Sequence, residues 1–153
     1  MCAALVVSGA VFCIIAIKGG GSAERGVLEV RDADSGRLRG TWPLAESGGF
    51  AIEFIHSVNM SPVRETFRVR EGWLVLESVR FYAFGAGVQS DLGEGQVLTR
   101  DGDAMVISGF NGALREINLM VGTVPDHVLF INNEIVNLQE HFGKNARITL
   151  RYR

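Results

Sequence analysis

The clearest alternation of apolar and polar positions in the chain begins at residue 50. Phe50, Ile52 and Phe54 occupy every second position, so a strand would carry all three on one face. His56 is the next residue on that face. The pattern therefore predicts a strand whose aromatic face, including His56, points toward a core.

A second alternating run follows after a short loop. Glu65, Phe67 and Val69 lie on one face of it. In an antiparallel hairpin that pairs Phe54 with Phe67, His56 stands opposite Glu65. Directly opposed side chains lie about 4.5–5.5 Å apart at Cβ. We therefore expect a histidine–carboxylate pair, in a register that a slip of one residue would destroy.

Further apolar segments separated by Gly, Asp and Asn continue through the chain. One of them folds back at Asn132 and Asn133, which tolerate the positive φ angles of a two-residue hairpin. The other predicted strands cover residues 27–31, 37–42, 73–84, 104–108, 115–121 and 148–152. Roughly ten short strands predict one all-β domain over residues 24–153, either a β-sandwich or a closed antiparallel barrel.

The N-terminal part of the chain has a different pattern. Residues 2–17 are continuously apolar and are followed by Lys18 and a Gly-rich stretch. The run is shorter than the about 20 residues that cross a bilayer, but it suits an export signal. We predict a signal peptide or short signal anchor with a Gly-rich tether over residues 1–23. The alternative is a buried first strand or helix of the domain.

Composition narrows the possible partners and chemistry. The chain has 15 basic and 17 acidic residues, a net charge of −2, so a broad nucleic-acid surface is not expected. Cys2 and Cys13 both lie in the apolar segment, which leaves the domain without a thiol for a disulfide or a metal. A domain of this kind is compatible with the periplasm or the outer face of the cytoplasmic membrane.

The candidate binding site is His56 with Glu65, extended by Ser57 and His127. A histidine oriented by a carboxylate can act as a base or a metal ligand. Zinc needs three or four ligands, and none stands at diagnostic spacing, so the metal is unknown and no cofactor is predicted. Ser57 follows His56 directly and points to the opposite face, and no catalytic serine motif is present. The alternative is a structural pair that fixes the hairpin register.

Gly85 and Gly87 complete the candidate site. A glycine pair allows backbone amides to approach an anion. The third glycine of a dinucleotide fingerprint is replaced by Ser90, and no helical pattern follows. A tight turn or bulge explains the pair equally well.

Two strings in the middle of the chain resemble a known family. They are FIHSVNMSPVRETFRV, at residues 54–69, and WLVLESVRFYAFGAG, at residues 73–87. They are similar to the signature of domain-of-unknown-function family 1850, small exported bacterial proteins, through His56-Ser57-Val58, Pro62, Glu65 and Gly85-Ala86-Gly87. The resemblance implies a genetic context, since such genes often accompany TAXI-type TRAP transporters, and no activity is established for the family.

Together these features predict an exported or membrane-tethered accessory protein that binds a TRAP transporter or its solute-binding protein. The missing catalytic motif favours a non-enzymatic role. A small-ligand or metal-binding module at His56 and Glu65 is the alternative, and a metal-dependent hydrolase is a third possibility.

Overall fold

The predicted strands are present in a computed structural model of the chain, which describes residues 25–83, 91–122 and 126–153. Twelve strands and one short helix lie within these residues. In chain order they are β1 (Arg25–Asp32), β2 (Leu38–Ala45), β3 (Gly49–Ile55), β4 (Pro62–Arg70), β5 (Trp73–Phe81), β6 (Val97–Asp101), β7 (Ala104–Ser108), β8 (Ala113–Leu114), β9 (Ile117–Met120), β10 (Val128–Ile131), β11 (Glu134–Asn137), α1 (Leu138–Phe142) and β12 (Arg147–Tyr152).

The strands form two antiparallel sheets. The smaller has the order β2-β1-β12-β9, and the larger has the order β11-β10-β3-β4-β5-β7-β6, with β8 paired to the start of β5. Both orders are open, so the described residues form no closed barrel, and that prediction is wrong for this part of the chain. The all-β prediction is confirmed. The predicted export segment and tether lie outside the described residues.

One hydrophobic core is shared by both sheets. Leu28 and Leu150 of the smaller sheet belong to the same buried cluster as Ile52, Val69 and Leu129 of the larger one, and each of these is at most 2% exposed. Complete burial of such a side chain stabilises a fold by about 1.5–3 kcal/mol. This shared cluster therefore joins the two sheets.

The larger sheet carries a second cluster to which the smaller sheet contributes nothing. Its buried members are Val63, Phe81 and Ile107. The boundary between the clusters coincides with an irregularity in the pairing of β4 with β5, where Glu77 is the extra residue. A bulge of this kind bends its strand and increases the local twist.

The β3–β4 register differs from the predicted one. Phe50, not Phe54, pairs with Phe67, and Glu65 pairs with Ile52. The predicted register is wrong by four residues. An even shift leaves every side chain on its predicted face, which is why alternation alone does not detect it.

Two local features complete the comparison with the sequence. The hairpin at Asn132 and Asn133 is present, with φ angles of 50° and 66°. The helix α1 was not predicted, since five residues are too few to show a period. Its N-cap is Asn137, whose side chain accepts from the amides of Gln139 and Glu140. No helix in the described ranges is both long and apolar enough to cross a membrane.

The two glycines that flank β7 provide a matched test of the β6–β7 ladder. Both have positive φ, but a Cβ on Gly109 would lie 2.2 Å from the Gly95 carbonyl oxygen, whereas one on Gly102 meets nothing within 4 Å. We expect Gly102→Ala to destabilise by about 1–2 kcal/mol through its backbone angle. Gly109→Ala should lower the free energy of unfolding by roughly a further 1–3 kcal/mol, because the Gly95 carbonyl must move. Urea denaturation measures both, and equal losses would contradict the close contact.

Candidate functional site

The structure separates the two residues of the predicted pair. His56 follows the last residue of β3 and lies level with Ser61, to whose carbonyl it donates its amide at 2.9 Å. Glu65 lies four residues further along β4, opposite Ile52. Four residues of strand correspond to roughly 13 Å. His56 and Glu65 therefore belong to different parts of the sheet.

His56 organises the turn between β3 and β4, which we name the 56–61 loop. Its carbonyl accepts from the Met60 amide at 2.9 Å. Its ring Nδ1 accepts from the Val58 amide at 3.3 Å. His56 thus forms hydrogen bonds with the backbone of its own loop. It positions that loop and does not contact Glu65.

Asn59 fixes the same loop from the other side. Its side-chain amide donates to the carbonyl of Ala83, after the end of β5, at 3.1 Å. Its oxygen accepts from the hydroxyl of Ser61 at 3.0 Å and from the amide of that residue at 3.4 Å. Side chains of this type mimic a backbone turn. One residue therefore joins the 56–61 loop to the end of a neighbouring strand.

The loop presents apolar side chains to solvent. Val58 is 65% exposed and Met60 is 63% exposed, and Ser57 beside them is also exposed. Met60 has φ of 51°, an uncommon backbone angle for a residue with a side chain. The hydrogen bonds of His56 and Asn59 therefore hold two large apolar groups away from the core. The pattern of the sequence did not predict the exposure of either side chain, because a turn gives no periodic signal of which side chains are exposed.

Glu65 lies on the core-facing side of the larger sheet. Its paired residues are Ile52 on β3 and Val79 on β5, both apolar. Within the described residues the structure shows no hydrogen bond or ion pair to its carboxylate. Burial raises the pKa of Glu65 above its ordinary value of 4.5, because desolvation disfavours the charged form. The carboxylate is therefore placed where ionisation costs free energy.

His127 is buried at the start of β10. Its ring stacks on Phe54, with centroids 5.4 Å apart, and its Nδ1 lies 3.5 Å from the amide of Gly122. Its carbonyl accepts from the Leu138 amide at 2.9 Å. Since Val128 pairs with Glu53, His127 is level with Phe54 rather than with Glu65.

Among the described residues, Glu65 therefore does not join His56 and His127 in one centre. No three His, Cys, Asp or Glu side chains come together as a possible metal site in the parts of the chain that the structure describes. Gly85 and Gly87 lie outside the described residues. The structure instead shows two separate features. One is the 56–61 loop, which is ordered by His56 and Asn59, and the other is the Glu65 carboxylate on an apolar face.

Comparison with known proteins adds one match. The profile of a family described as a domain of unknown function, DUF1850, matches residues 50–138, which include the 56–61 loop, Glu65 and His127. No curated protein and no solved structure matches the chain.

The hydrogen bonds of Asn59 give a testable ranking. Asn59→Ala removes three contacts, whereas Ser61→Ala removes only the one made by its hydroxyl. A typical hydrogen bond contributes about 0.5–1.5 kcal/mol. We expect the free energy of unfolding to fall by about 0.5–1 kcal/mol in Ser61→Ala and by about 1.5–3 kcal/mol in Asn59→Ala, measured by chemical denaturation. Equal losses would show that the bond to Ala83 contributes nothing.

Glu65 predicts a particular pH dependence. Its raised pKa means that the folded state holds this proton more tightly than the unfolded chain does. The stability of the wild type should therefore fall, relative to Glu65→Gln, as the pH rises from 4.5 through the raised pKa. Thermal unfolding of both proteins between pH 4 and pH 8, roughly, measures the difference, because the unfolded group titrates near pH 4.3.

Glu77 provides a control of opposite sign. The hydrogen bond from Arg68, 2.5 Å long, lowers the pKa of Glu77 below 4.5. The advantage of the wild type over Glu77→Gln should be complete above pH 4.5 and disappear on acidification. A difference between wild type and Glu65→Gln that does not change with pH would contradict the burial of Glu65.

Proposed function

The chain belongs to the DUF1850 family, and we propose that it is an accessory protein that binds a partner outside the cytoplasm. The proposed partner is a TAXI-type TRAP solute transporter or its solute-binding protein. Residues 1–23 either tether the domain to the outer face of the cytoplasmic membrane or are removed on export, which leaves the domain in the periplasm.

The exposure of Val58 and Met60 on an ordered loop carries this proposal. Interfaces gain most of their affinity from a few anchor residues that are buried in pockets on the partner, and Met is enriched at interfaces relative to the rest of the surface. Anchors that are already ordered lose less conformational entropy on binding. The hydrogen bonds made by His56 and Asn59 supply that order before any partner arrives.

The position of the loop supports a protein partner rather than the bilayer. Ser47, just before β3, lines the same groove as Gly26, the second residue of the described chain. The 56–61 loop lies at the other end of β3, and seven residues of strand span roughly 20 Å or more. A tether that precedes Gly26 would therefore join the domain at the opposite end of β3 from the loop.

The choice of partner comes from the family context. The chain resembles proteins whose genes often accompany TAXI-type TRAP transporters, and the profile match includes the whole loop. A transporter of this type works with a soluble solute-binding protein, so both are tested as partners.

A second candidate function is small-ligand binding at Glu65. Its support is a carboxylate among apolar side chains without a described partner, which a ligand cation or hydrogen-bond donor would stabilise. We do not propose a metal site that combines His56 with Glu65, because the two residues lie roughly 13 Å apart along the strand.

The test of partner binding uses crosslinking in intact cells. Full-length chain, a Val58→Ser/Met60→Asn variant and an Ile135→Ser control are crosslinked and purified, and the TRAP membrane and solute-binding components are quantified. Asn tolerates the positive φ of residue 60. Ile135 is the matched control because it is 72% exposed on a different element, β11.

We expect the wild type and Ile135→Ser to recover a TRAP component and the loop variant to recover at least tenfold less, about 1.4 kcal/mol of binding free energy. All three should unfold at similar temperatures, since exposed substitutions change stability by about 0.5 kcal/mol or less. Recovery of neither TRAP component by the wild type, or equal recovery by the loop variant, would refute the proposal.

A further inference from the structure

A cavity of about 290 Å³ opens where the start of β5 meets the end of β12. Its walls include Trp73 of β5, Arg115 and Glu116 before β9, and Arg151 and Arg153 near the end of the chain. Among the described residues, three arginines thus line this cavity and only one acidic residue does. The excess of positive charge favours an anionic occupant.

The neighbouring carboxylates do not neutralise this excess. Glu116 contacts one terminal nitrogen of Arg151 and accepts from Asn118 at 3.2 Å. These contacts, Asn118 first, hold the pKa of Glu116 below its ordinary value. Glu29 stands directly opposite Arg151 on β1, but it is bound to the Nε of Arg31 at 2.9 Å. Both nearby carboxylates therefore already have partners.

The Nε–H group of Arg151 is the unusual feature of the cavity. Its nitrogen is shielded from solvent and has no acceptor within the described residues. A buried donor without an acceptor costs about 1–3 kcal/mol. The side chain as a whole is 37% exposed, so a ligand in the cavity can reach its other guanidinium atoms. A shift of the side chain toward a bound oxyanion would then give the Nε–H an acceptor.

Trp73 and Arg115 also line the cavity, and they contact each other. The guanidinium carbon of Arg115 lies 4.8 Å from the centre of the indole ring, a distance typical of a cation–π contact. This stacking orients a second fork of donors, and guanidinium forks match carboxylate and phosphate groups. The indole ring, 36% exposed, supplies an apolar surface beside them.

We propose that this cavity binds a small oxyanion, a carboxylate or phosphate group, through the guanidinium groups of Arg151 and Arg115, with the rest of the ligand against Trp73. The cavity is built from β5, β12 and the segment before β9, and it shares no residue with the 56–61 loop. Its test is therefore independent of the proposed partner.

The experiment uses the full chain and follows the fluorescence of Trp73. Inorganic phosphate and acetate are titrated separately into the protein in detergent at constant ionic strength, and a third arm uses detergent-free protein reconstituted in phosphatidylcholine vesicles with and without phosphatidylglycerol. Trp42 is buried and its indole donates to Glu134 at 3.1 Å, so it gives a constant background that Trp73→Phe isolates.

The variants are Arg151→Gln, Arg115→Gln and the control Arg147→Gln. Arg147 lies on the same strand as Arg151, but it pairs with Asp34 at 2.7 Å and does not line the cavity. We expect saturable binding of a soluble anion that weakens at least tenfold in both cavity variants and is unchanged in the control. Arg115 lies outside every strand, so its variant keeps the test informative if Arg151→Gln unfolds.

The three arms separate the sources of the anion. Binding only to vesicles that contain phosphatidylglycerol, lost in the same two variants, supports an oxyanion site that takes a lipid headgroup. The proposal is overturned if no arm shows saturable binding, if both cavity variants bind like the wild type, or if Arg147→Gln loses as much affinity as they do.

Discussion

The apolar contact between the two sheets supports every other feature of the domain. Leu28 and Leu150 from the smaller sheet and Ile52 and Leu129 from the larger one belong to one cluster, so neither sheet is covered on its inner face without the other. Removal of this apolar surface from water is the main favourable contribution to folding. The positions of the 56–61 loop and of the arginine cavity both follow from where these sheets end.

The larger sheet extends beyond its contact with the smaller sheet, and in that part it has a separate buried cluster. Glu65 lies on β4 between the first cluster and the second, close to the bulge opposite Thr66 and Phe67. A carboxylate at an otherwise apolar position lowers stability at neutral pH. Departures of this kind from local consistency are expected at functional sites, and here the departure lies within the segment that defines the family.

The sequence was sufficient to predict which face of a strand each side chain occupies, but not which residues pair between strands. Alternation placed Phe50 and Ile52 on the core side, and both are buried there. The turn between β3 and β4 is closed instead by the hydrogen bonds from the His56 amide to the Ser61 carbonyl and from the Met60 amide to the His56 carbonyl. These two bonds join backbone atoms, and a pattern of side chains does not specify them.

For the candidate site, too, the sequence predicted which residues are of interest but not how they are arranged in space. The polar residues of the middle segment could be found from their types, whereas the separation of His56 from Glu65 required the register. The exposure of Val58 and Met60, and the approach of Arg115 to Arg151, depend on how turns and strands distant in sequence meet. No local periodicity encodes such contacts.

The pairing of β1 with β12 determines when the domain can assemble. Leu28 pairs with Tyr152, so the first and last described strands are neighbours in the smaller sheet, and β9 is held there only through β12. The smaller sheet cannot form until β12 has been synthesised, and pairing over such a sequence separation is slow. A chain that delays folding in this way stays unfolded until nearly all of the described residues have been made.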